Sequence, residues 1–224
     1  MEWYIILSIP LGILLLIVIS VYLIFKILMS PPPTGKVTEN IISIKTIFVS
    51  SYIYMRDSDM ILIDAGMSKR ALKKQLKKLD INPRDISDVF LTHGDIDHRG
   101  GLSLFKTANI YFGEDTKIKH PERYKFLGDE DIVEVGNIKV KAIKTPGHRS
   151  GHTSYLIDDK YLFSGDLIRL KEGKVKPFFK LICDDFEEIQ ESLKKIANLK
   201  NLEMILTPHH GYTTKFYEDL DKWK

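Results

Sequence analysis

A chain of 224 residues with 44% hydrophobic side chains can bury one sizeable core, which argues for one folded domain. Its formal charge of +3 comes from 33 basic and 30 acidic side chains mixed along the sequence, without the basic block that nucleic-acid binding requires. The single cysteine, Cys183, excludes an internal disulfide and reads as a small buried hydrophobe or a bystander rather than a nucleophile.

The run from Trp3 to Phe25 has no charged residue. At about 1.5 Å per residue it spans about 34 Å, enough for a hydrocarbon core, so residues 1–29 read as a single-pass transmembrane helix. A cleaved leader fits less well: the stretch is too long, no Lys or Arg precedes it, and Leu28-Met29-Ser30-Pro31 lacks a small-x-small cleavage site. Glu2 is the charged residue on the amino side, whereas Lys26, Lys36 and Lys45 follow the run, so the positive-inside rule puts the rest of the chain in the cytoplasm. Residues 30–36, with Pro31-Pro32-Pro33, form a stiff polyproline II linker, and 37–224 form the folded domain.

Strands are predicted over Ile41 to Phe48, Ser51 to Met55 and Met60 to Ile63, with a turn at Arg56-Asp57-Ser58-Asp59. Asp64 closes the third strand, and Lys69 to Leu79 has the apolar spacing of an amphipathic helix that Asn82-Pro83 ends. The buried run Val89-Phe90-Leu91 then delivers Thr92-His93-Gly94-Asp95-Ile96-Asp97-His98, an unusual density of metal-ligating side chains on the loop leaving a strand. On an extended loop His93 and Asp95 share one face, and Asp97 and His98, past the turn, can reach a second ion. Gly100-Gly101 allows close backbone approach. A short helix to Phe105 and a strand from Ala108 to Phe112 follow. The stretch Gly113 to Gly128 lacks a period and is expected to border a cleft, with His120 at the surface.

Ile132 to Val135 and Ile138 to Lys144 form a hairpin across Gly136-Asn137, ending in Thr145-Pro146-Gly147-His148. Tyr155 to Ile157 and Tyr161 to Phe163 form the next hairpin and end in Gly165-Asp166. Arg169 to Lys180 reads as an irregular solvated loop, Phe186 to Leu199 as an amphipathic helix, and Met204 to Leu206 as a last strand before His209-His210-Gly211.

This order of strand and ligand, repeated four times between Thr38 and Thr213, resembles the metallo-β-lactamase superfamily, whose pattern is H-x-H-x-D-H, then His, Asp and His. The resemblance implies an α/β fold, a four-layer αβ/βα sandwich, here expected after a transmembrane helix. It implies two divalent metal ions, zinc first: one held by His93, Asp95, His148 and Asp166, the other by Asp97, His98, Asp166 and His210. Asp166 would bridge the ions, and Asp97 would orient a metal-bound hydroxide. Alignment on the His-Gly pair selects His210 and leaves His209 to line the site. His152 would support the ligands or simply pack, and Asp64 would either support the metal loop or cap the following helix.

The sequence departs from the family pattern at Asp95, where the zinc hydrolases carry a second histidine. An added carboxylate lowers the net charge of a two-metal centre from +2 to +1, should raise the pKa of its water, and moves preference toward manganese or iron. The implied activity is hydrolysis of a small ester, thioester, lactone or phosphodiester by a membrane-anchored enzyme. With the sequence ending at Lys224, no C-terminal helical domain of the glyoxalase II type is expected, which ranks a small substrate above nucleic acid and glutathione adducts. The alternatives are a non-haem iron oxidoreductase resembling sulfur dioxygenases and a non-catalytic membrane-tethered binding module. The partners implied are a small-molecule substrate and, through the helix, the membrane; nothing in the sequence specifies an oligomer.

Overall fold

A computed structural model describes residues 11–224 of the chain. Its first element is helix α1 (Leu11–Leu28). Strands β1 (Gly35–Lys36), β2 (Ile41–Thr46), β3 (Val49–Arg56) and β4 (Asp59–Ile63) run antiparallel, helix α2 (Lys69–Lys78) crosses over, and β5 (Asp88–Phe90) adds parallel to β4. After the short helix α3 (Ile96–Arg99), β6 (Asn109–Gly113) and β7 (Lys125–Leu127) complete a seven-stranded sheet in sequential order. The second sheet begins with the antiparallel strands β8 (Ile132–Val135), β9 (Ile138–Lys144), β10 (Thr153–Ile157) and β11 (Tyr161–Phe163). A separate hairpin, β12 (Ile168–Lys171) and β13 (Lys174–Pro177), and helix α4 (Phe186–Ala197) intervene before β14 (Met204–Thr207) returns parallel to β11 and pairs with β15 (Gly211–Thr213). Helix α5 (Tyr217–Leu220) follows.

Period-two alternation decides which side of each sheet meets which layer. Tyr52, Tyr54, Ile61 and Ile63 of the first sheet face Val140, Ala142, Tyr155 and Leu206 of the second, forming the core between the sheets. The interleaved Ile53, Leu62 and Val89 face outward onto Leu72 and Leu76 of α2. On the other side, Leu156, Leu162 and Ile205 pack against Ile189, Leu193 and Ile196 of α4. Strands buried on both faces read as near-continuous apolar runs, and three stacked cores give the expected four-layer αβ/βα sandwich. Both helices are capped by their own sequence: Ser68 accepts from Ala71 N at α2, and Asp185 accepts from Glu187 N and Glu188 N at α4.

The membrane anchor expected over Trp3 to Phe25 does not hold. Its first residues lie outside the described residues, and among the described residues no helix is long and apolar enough to cross a membrane. Helix α1 has 18 residues, a rise of about 27 Å against a hydrocarbon core of about 30 Å. Although Ile13 to Ile19 are exposed, the other end is docked: Met29 is buried, Leu28 O is 3.0 Å from His210 Nε2, and the Tyr22 and Phe48 rings lie 5.4 Å apart. The single-pass placement and cytoplasmic orientation inferred from that anchor fall with it.

Two stretches expected to be irregular contain strands. Lys125–Leu127 joins the first sheet at its edge, where a strand needs only one partner. In the second, Glu172 (φ 54°) and Gly173 (φ 75°) form a tight turn with positive φ at both central positions, and Val175 is buried, so β12 and β13 are an ordered hairpin.

Candidate metal centre

The carboxyl ends of β5, β9, β11 and β14 meet at one rim of the sandwich. Hydrogen bonds stitch the two sheets there: Tyr155 OH donates to Leu91 O at 2.9 Å, Tyr52 OH to Thr207 O at 2.7 Å, and Thr153 N to Thr92 O at 2.8 Å. In the parallel ladder between β11 and β14, Phe163 pairs with Leu206, which sets the segments following both strands side by side. Gly165, immediately before Asp166, has φ +52°, and a Cβ there would lie 2.5 Å from His152 Nε2 and 2.7 Å from Thr92 Cβ. Only glycine permits that turn between two buried side chains.

Two ligand groups converge on this rim: His93, His148 and Asp166, and Asp97, His98 and His209. Asp166 stands between them. Its Oδ2 is 4.0 Å from His93 Nε2, 3.5 Å from His148 Nε2 and 3.7 Å from His98 Nε2, and its Oδ1 is 3.4 Å from His209 Nε2. Asp97 Oδ2 lies 3.6 Å from His98 Nε2 and 3.5 Å from His209 Nε2. Bonds of about 2.0–2.1 Å in a tetrahedron separate neighbouring ligand atoms by roughly 3.3–3.5 Å, so these spacings suit a cation in each group after a small contraction.

The outer nitrogens of the rings are held from behind. His98 Nδ1 is 2.8 Å from Asp64 Oδ2, His209 Nδ1 is 2.7 Å from Phe48 O, and His93 Nδ1 is 3.0 Å from Thr92 Oγ1. A carboxylate and a carbonyl can only accept, so His98 and His209 carry their proton on Nδ1. Thr92 Oγ1 is within reach of both Asp64 oxygens, to which it donates, and therefore accepts from His93 Nδ1. Each Nε2 faces the rim, where a cation can take the place of a proton. The Nε2 atoms of His93, His98 and His148 and Oδ1 of Asp166 are buried without a hydrogen-bond partner, an arrangement that costs free energy unless a cation takes the lone pairs.

Electrostatics point the same way. Burial disfavours an imidazolium at His98, yet the carboxylates of Asp64, Asp97 and Asp166 push its pKa well above the ordinary histidine range. His209 is likewise raised against its own burial, chiefly by Asp166. Asp166 is held well below the usual carboxylate range, because His209 and His98 outweigh the burial that would raise it. His93 is held neutral by burial and by His98. Buried carboxylates in this number call for positive charge, and a divalent cation supplies it.

Of the residues expected to bind metal, His93, Asp97, His98, His148 and Asp166 are brought together, and Asp95 lies beside them: its Oδ2 is 3.5 Å from His148 Nε2 and 3.8 Å from His93 Nε2. His210 is not brought in, which corrects the choice made on the His-Gly pair. Its Nε2 faces Leu28 O, while the neighbouring His209 points at Asp97 and Asp166. Burial and His209 lower the His210 pKa to about 4. The reason is the turn between β14 and β15: His210 N donates to Thr207 Oγ1 at 3.1 Å in the last turn position before the returning strand, and its side chain leaves the rim that His209 faces.

Several neighbours surround these groups, of which Arg149 was given no role from the sequence. Arg149 grips Asp95, with Nε 3.1 Å from Oδ1 and Nη2 2.8 Å from Oδ2. Cys183, expected to be a bystander, has its Sγ 3.8 Å from His148 Nδ1, and burial raises its thiol to about 11. Phe178, buried in what read as a solvated loop, meets His148 edge-on with ring centres 5.2 Å apart. Asp64 supports the rim rather than capping α2, a role Ser68 takes. His152 packs behind the ligands, its Nδ1 2.9 Å from Thr145 O, and His120 is on the surface beside Glu122. A cleft of about 360 Å³ opens over the rim, with apolar walls from Met29, Phe48, Met67, Ile96, Phe178 and Ile182.

Comparison with known proteins bears on this geometry. The profile described as the Metallo-beta-lactamase superfamily matches residues 45–222. The chain belongs to that superfamily. It is 31% identical over 193 residues to a hydroxyacylglutathione hydrolase of Buchnera aphidicola subsp. Baizongia pistaciae, covering 81% of this chain and 70% of that protein. It is also 30% identical over 155 residues to the atrochrysone carboxyl ACP thioesterase of Aspergillus fumigatus, covering 67% of this chain and 47% of that one, so the matches span 47% to 70% of these two relatives' length. Among solved structures, a subclass B3 metallo-β-lactamase of Bradyrhizobium japonicum superposes with a TM-score of 0.62 at 24% identity, over 81% of this chain and 79% of its own, a likeness of fold. The metallo-β-lactamase relatives in sequence are hydrolases, and this chain is a hydrolase of that type.

Proposed function

We propose that the protein is a metal-dependent hydrolase of small acyl esters, thioesters before oxygen esters and lactones, built on a two-cation centre. The observation that carries this reading is the set of buried atoms without a hydrogen-bond partner, Nε2 of His93, His98 and His148 and Oδ1 of Asp166, that converge on the rim. His93, His148 and Asp166, with Asp95 beside them, would hold one cation; Asp97, His98, His209 and Asp166 the other. When bound, such a pair lowers the pKa of water toward about 7 and polarises the bond under attack.

The chain's own residues supply the rest. Asp166 is placed to share its two oxygens between the groups and fix their separation. Asp97, whose carboxylate is about a third exposed at the cleft, can accept a proton from an attacking water on the substrate side. The six apolar walls exclude water and receive the acyl part of a substrate, which favours an acyl group with a hydrocarbon portion over a phosphodiester. The relatives named hydroxyacylglutathione hydrolase and ACP thioesterase support the choice of an acyl–sulfur bond.

The test is elemental analysis of the purified protein followed by turnover of acyl thioesters, esters, lactones and bis-p-nitrophenyl phosphate. Two equivalents of zinc or manganese with thioester hydrolysis that Asp166→Asn abolishes is the expected result. Thioester turnover unchanged in Asp166→Asn, or turnover of the phosphodiester alone, would refute the reading.

A further inference from the structure

The carboxylate of Asp95 has two faces. Oδ2 looks toward the Nε2 atoms of His148 and His93, at 3.5 and 3.8 Å, where a histidine of the family pattern would offer a neutral nitrogen. The opposite edge is taken by Arg149 in a two-bond fork, Nε to Oδ1 at 3.1 Å and Nη2 to Oδ2 at 2.8 Å. The remaining nitrogen, Nη1, donates to His148 O at 2.6 Å, Ile182 O at 3.0 Å and Asp184 Oδ1 at 3.2 Å, so the guanidinium has no freedom to swing off the carboxylate. Asp184 is largely exposed and its charge is screened by water, whereas the edge shared by Arg149 and Asp95 is two-thirds buried on both sides.

We infer that Asp95 and Arg149 act together as a charge-neutral substitute for a histidine ligand, with Arg149 the positioning residue that makes an aspartate acceptable at the first cation site. A carboxylate alone would remove one unit of positive charge from the centre; a carboxylate carrying a fixed guanidinium removes none. The centre then keeps the net charge of an all-histidine first site, and the shift toward a less acidic water expected from Asp95 alone is cancelled. The fork also orients the carboxylate, because a guanidinium that takes one lone pair from each oxygen leaves the other lone pair of Oδ2 directed at the cation position. Arg149 follows His148 directly, so the same turn delivers a ligand and the counter-charge for its neighbour.

The inference rests on the metal-centre reading above, and its test separates the two. Zinc affinity and stoichiometry are measured against a chromophoric chelator for the full chain and for Asp95→His, Arg149→Met and the double variant, with apo-protein circular dichroism as the fold control. With histidine at 95 and Arg149 left unpaired, a guanidinium faces a cation, and first-site affinity should fall on the order of 10–100-fold. Adding Arg149→Met should restore it to within a few-fold of wild type, while Arg149→Met alone, which leaves the Asp95 charge uncompensated beside the cation, should bind first-site zinc several-fold more tightly than wild type. Asp184→Asn, which removes the outer anchor of Arg149 without touching Asp95, should leave affinity unchanged. Additive effects in the double variant, or an Asp184→Asn variant that behaves like Arg149→Met, would show that Arg149 only braces the loop and would overturn the inference. If wild type binds no zinc, the metal-centre reading fails; if it binds two equivalents and the coupling is absent, only the present inference does.

Discussion

Replacing Asp64 by Asn tests the organisation of the rim with the smallest possible perturbation. Asp64 is buried with φ +58°, a conformation asparagine adopts readily, so backbone strain is not at issue. Its carboxylate accepts from Thr92 N at 2.8 Å, from Thr92 Oγ1 at 3.0 and 3.1 Å, and from His98 Nδ1 at 2.8 Å. An amide has one oxygen. If that oxygen stays with Thr92, its NH₂ meets His98 Nδ1, which must then become the acceptor, and the imidazole proton moves to Nε2, the atom needed for a cation. If the amide turns over, its NH₂ opposes the Thr92 N–H, leaving two buried donors face to face. Loss of such support to a metal-binding histidine typically costs 10–100-fold in affinity, about 1.4–2.7 kcal/mol. We expect chelator competition to show one zinc weakened by that factor and the other, at His93 and His148, changed by no more than a few-fold. Nitrogen chemical shifts of the apo-protein should report His98 protonated on Nε2. Two zinc ions bound at wild-type affinity, with His98 still protonated on Nδ1, would refute the reasoning.

Exchanging the paired histidines separates their roles: His209→Asn should lose about one equivalent of tightly bound metal and most turnover, whereas His210→Asn, which loses a contact to Leu28 O, should keep its full metal complement. Acid stability of the metal-free protein should depend on His152, whose pKa burial and His148 lower to about 3. A folded pKa below the ordinary 6.5 means that the unfolded chain binds the extra proton, so the contribution is complete above pH 6.5 and is lost as pH falls toward 3, on the order of 4 kcal/mol at the low end. His152→Gln, whose amide can still donate to Thr145 O, should flatten urea-denaturation midpoints between pH 6.5 and 4 relative to wild type; parallel profiles would contradict this. Gly165→Ala should destabilise by about 3 kcal/mol or more in urea, because a Cβ at φ +52° adds a left-handed penalty to a 2.5 Å clash with His152; a cost under about 1 kcal/mol would mean that the turn relaxes freely.

Most of the fold was legible because the strands are buried on both faces. Val89-Phe90, Tyr155 to Ile157 and Met204 to Leu206 alternate between the inter-sheet core and a helix layer, and both destinations demand apolar side chains. The β12–β13 hairpin escaped detection because four lysines and arginines mask its two buried positions, Ile168 and Val175, although Glu172-Gly173 carries the turn signal. The apolar amino-terminal run was over-read: charge-free length alone does not distinguish a membrane span from a helix whose end docks on a folded body, as α1 does through Leu28 and Met29.

The choice between His209 and His210 shows where motif reading gives out and register takes over. Composition treats two adjacent histidines alike, and pairing the ligand with the following glycine selects the second. Strand register selects the first. Phe90, Phe163 and Leu206 are the last side chains of their strands to enter the core between the sheets, and His93, Asp166 and His209 each come three residues later. Since Phe163 pairs with Leu206 in a parallel ladder, equal offsets put Asp166 and His209 abreast, whereas an offset of four carries His210 around the turn toward Leu28. Counting from the last core-facing residue therefore distinguishes ligand from neighbour at three of the four strand ends. At the fourth, His148 comes six residues after Ala142, the last core-facing residue of β9, because Thr145-Pro146-Gly147 lengthens the approach by three residues, and Arg149 follows it against Asp95. The pairing of Asp95 with Arg149 thus depends on a residue delivered by the turn after β9, which no reading of the first motif by itself could reveal.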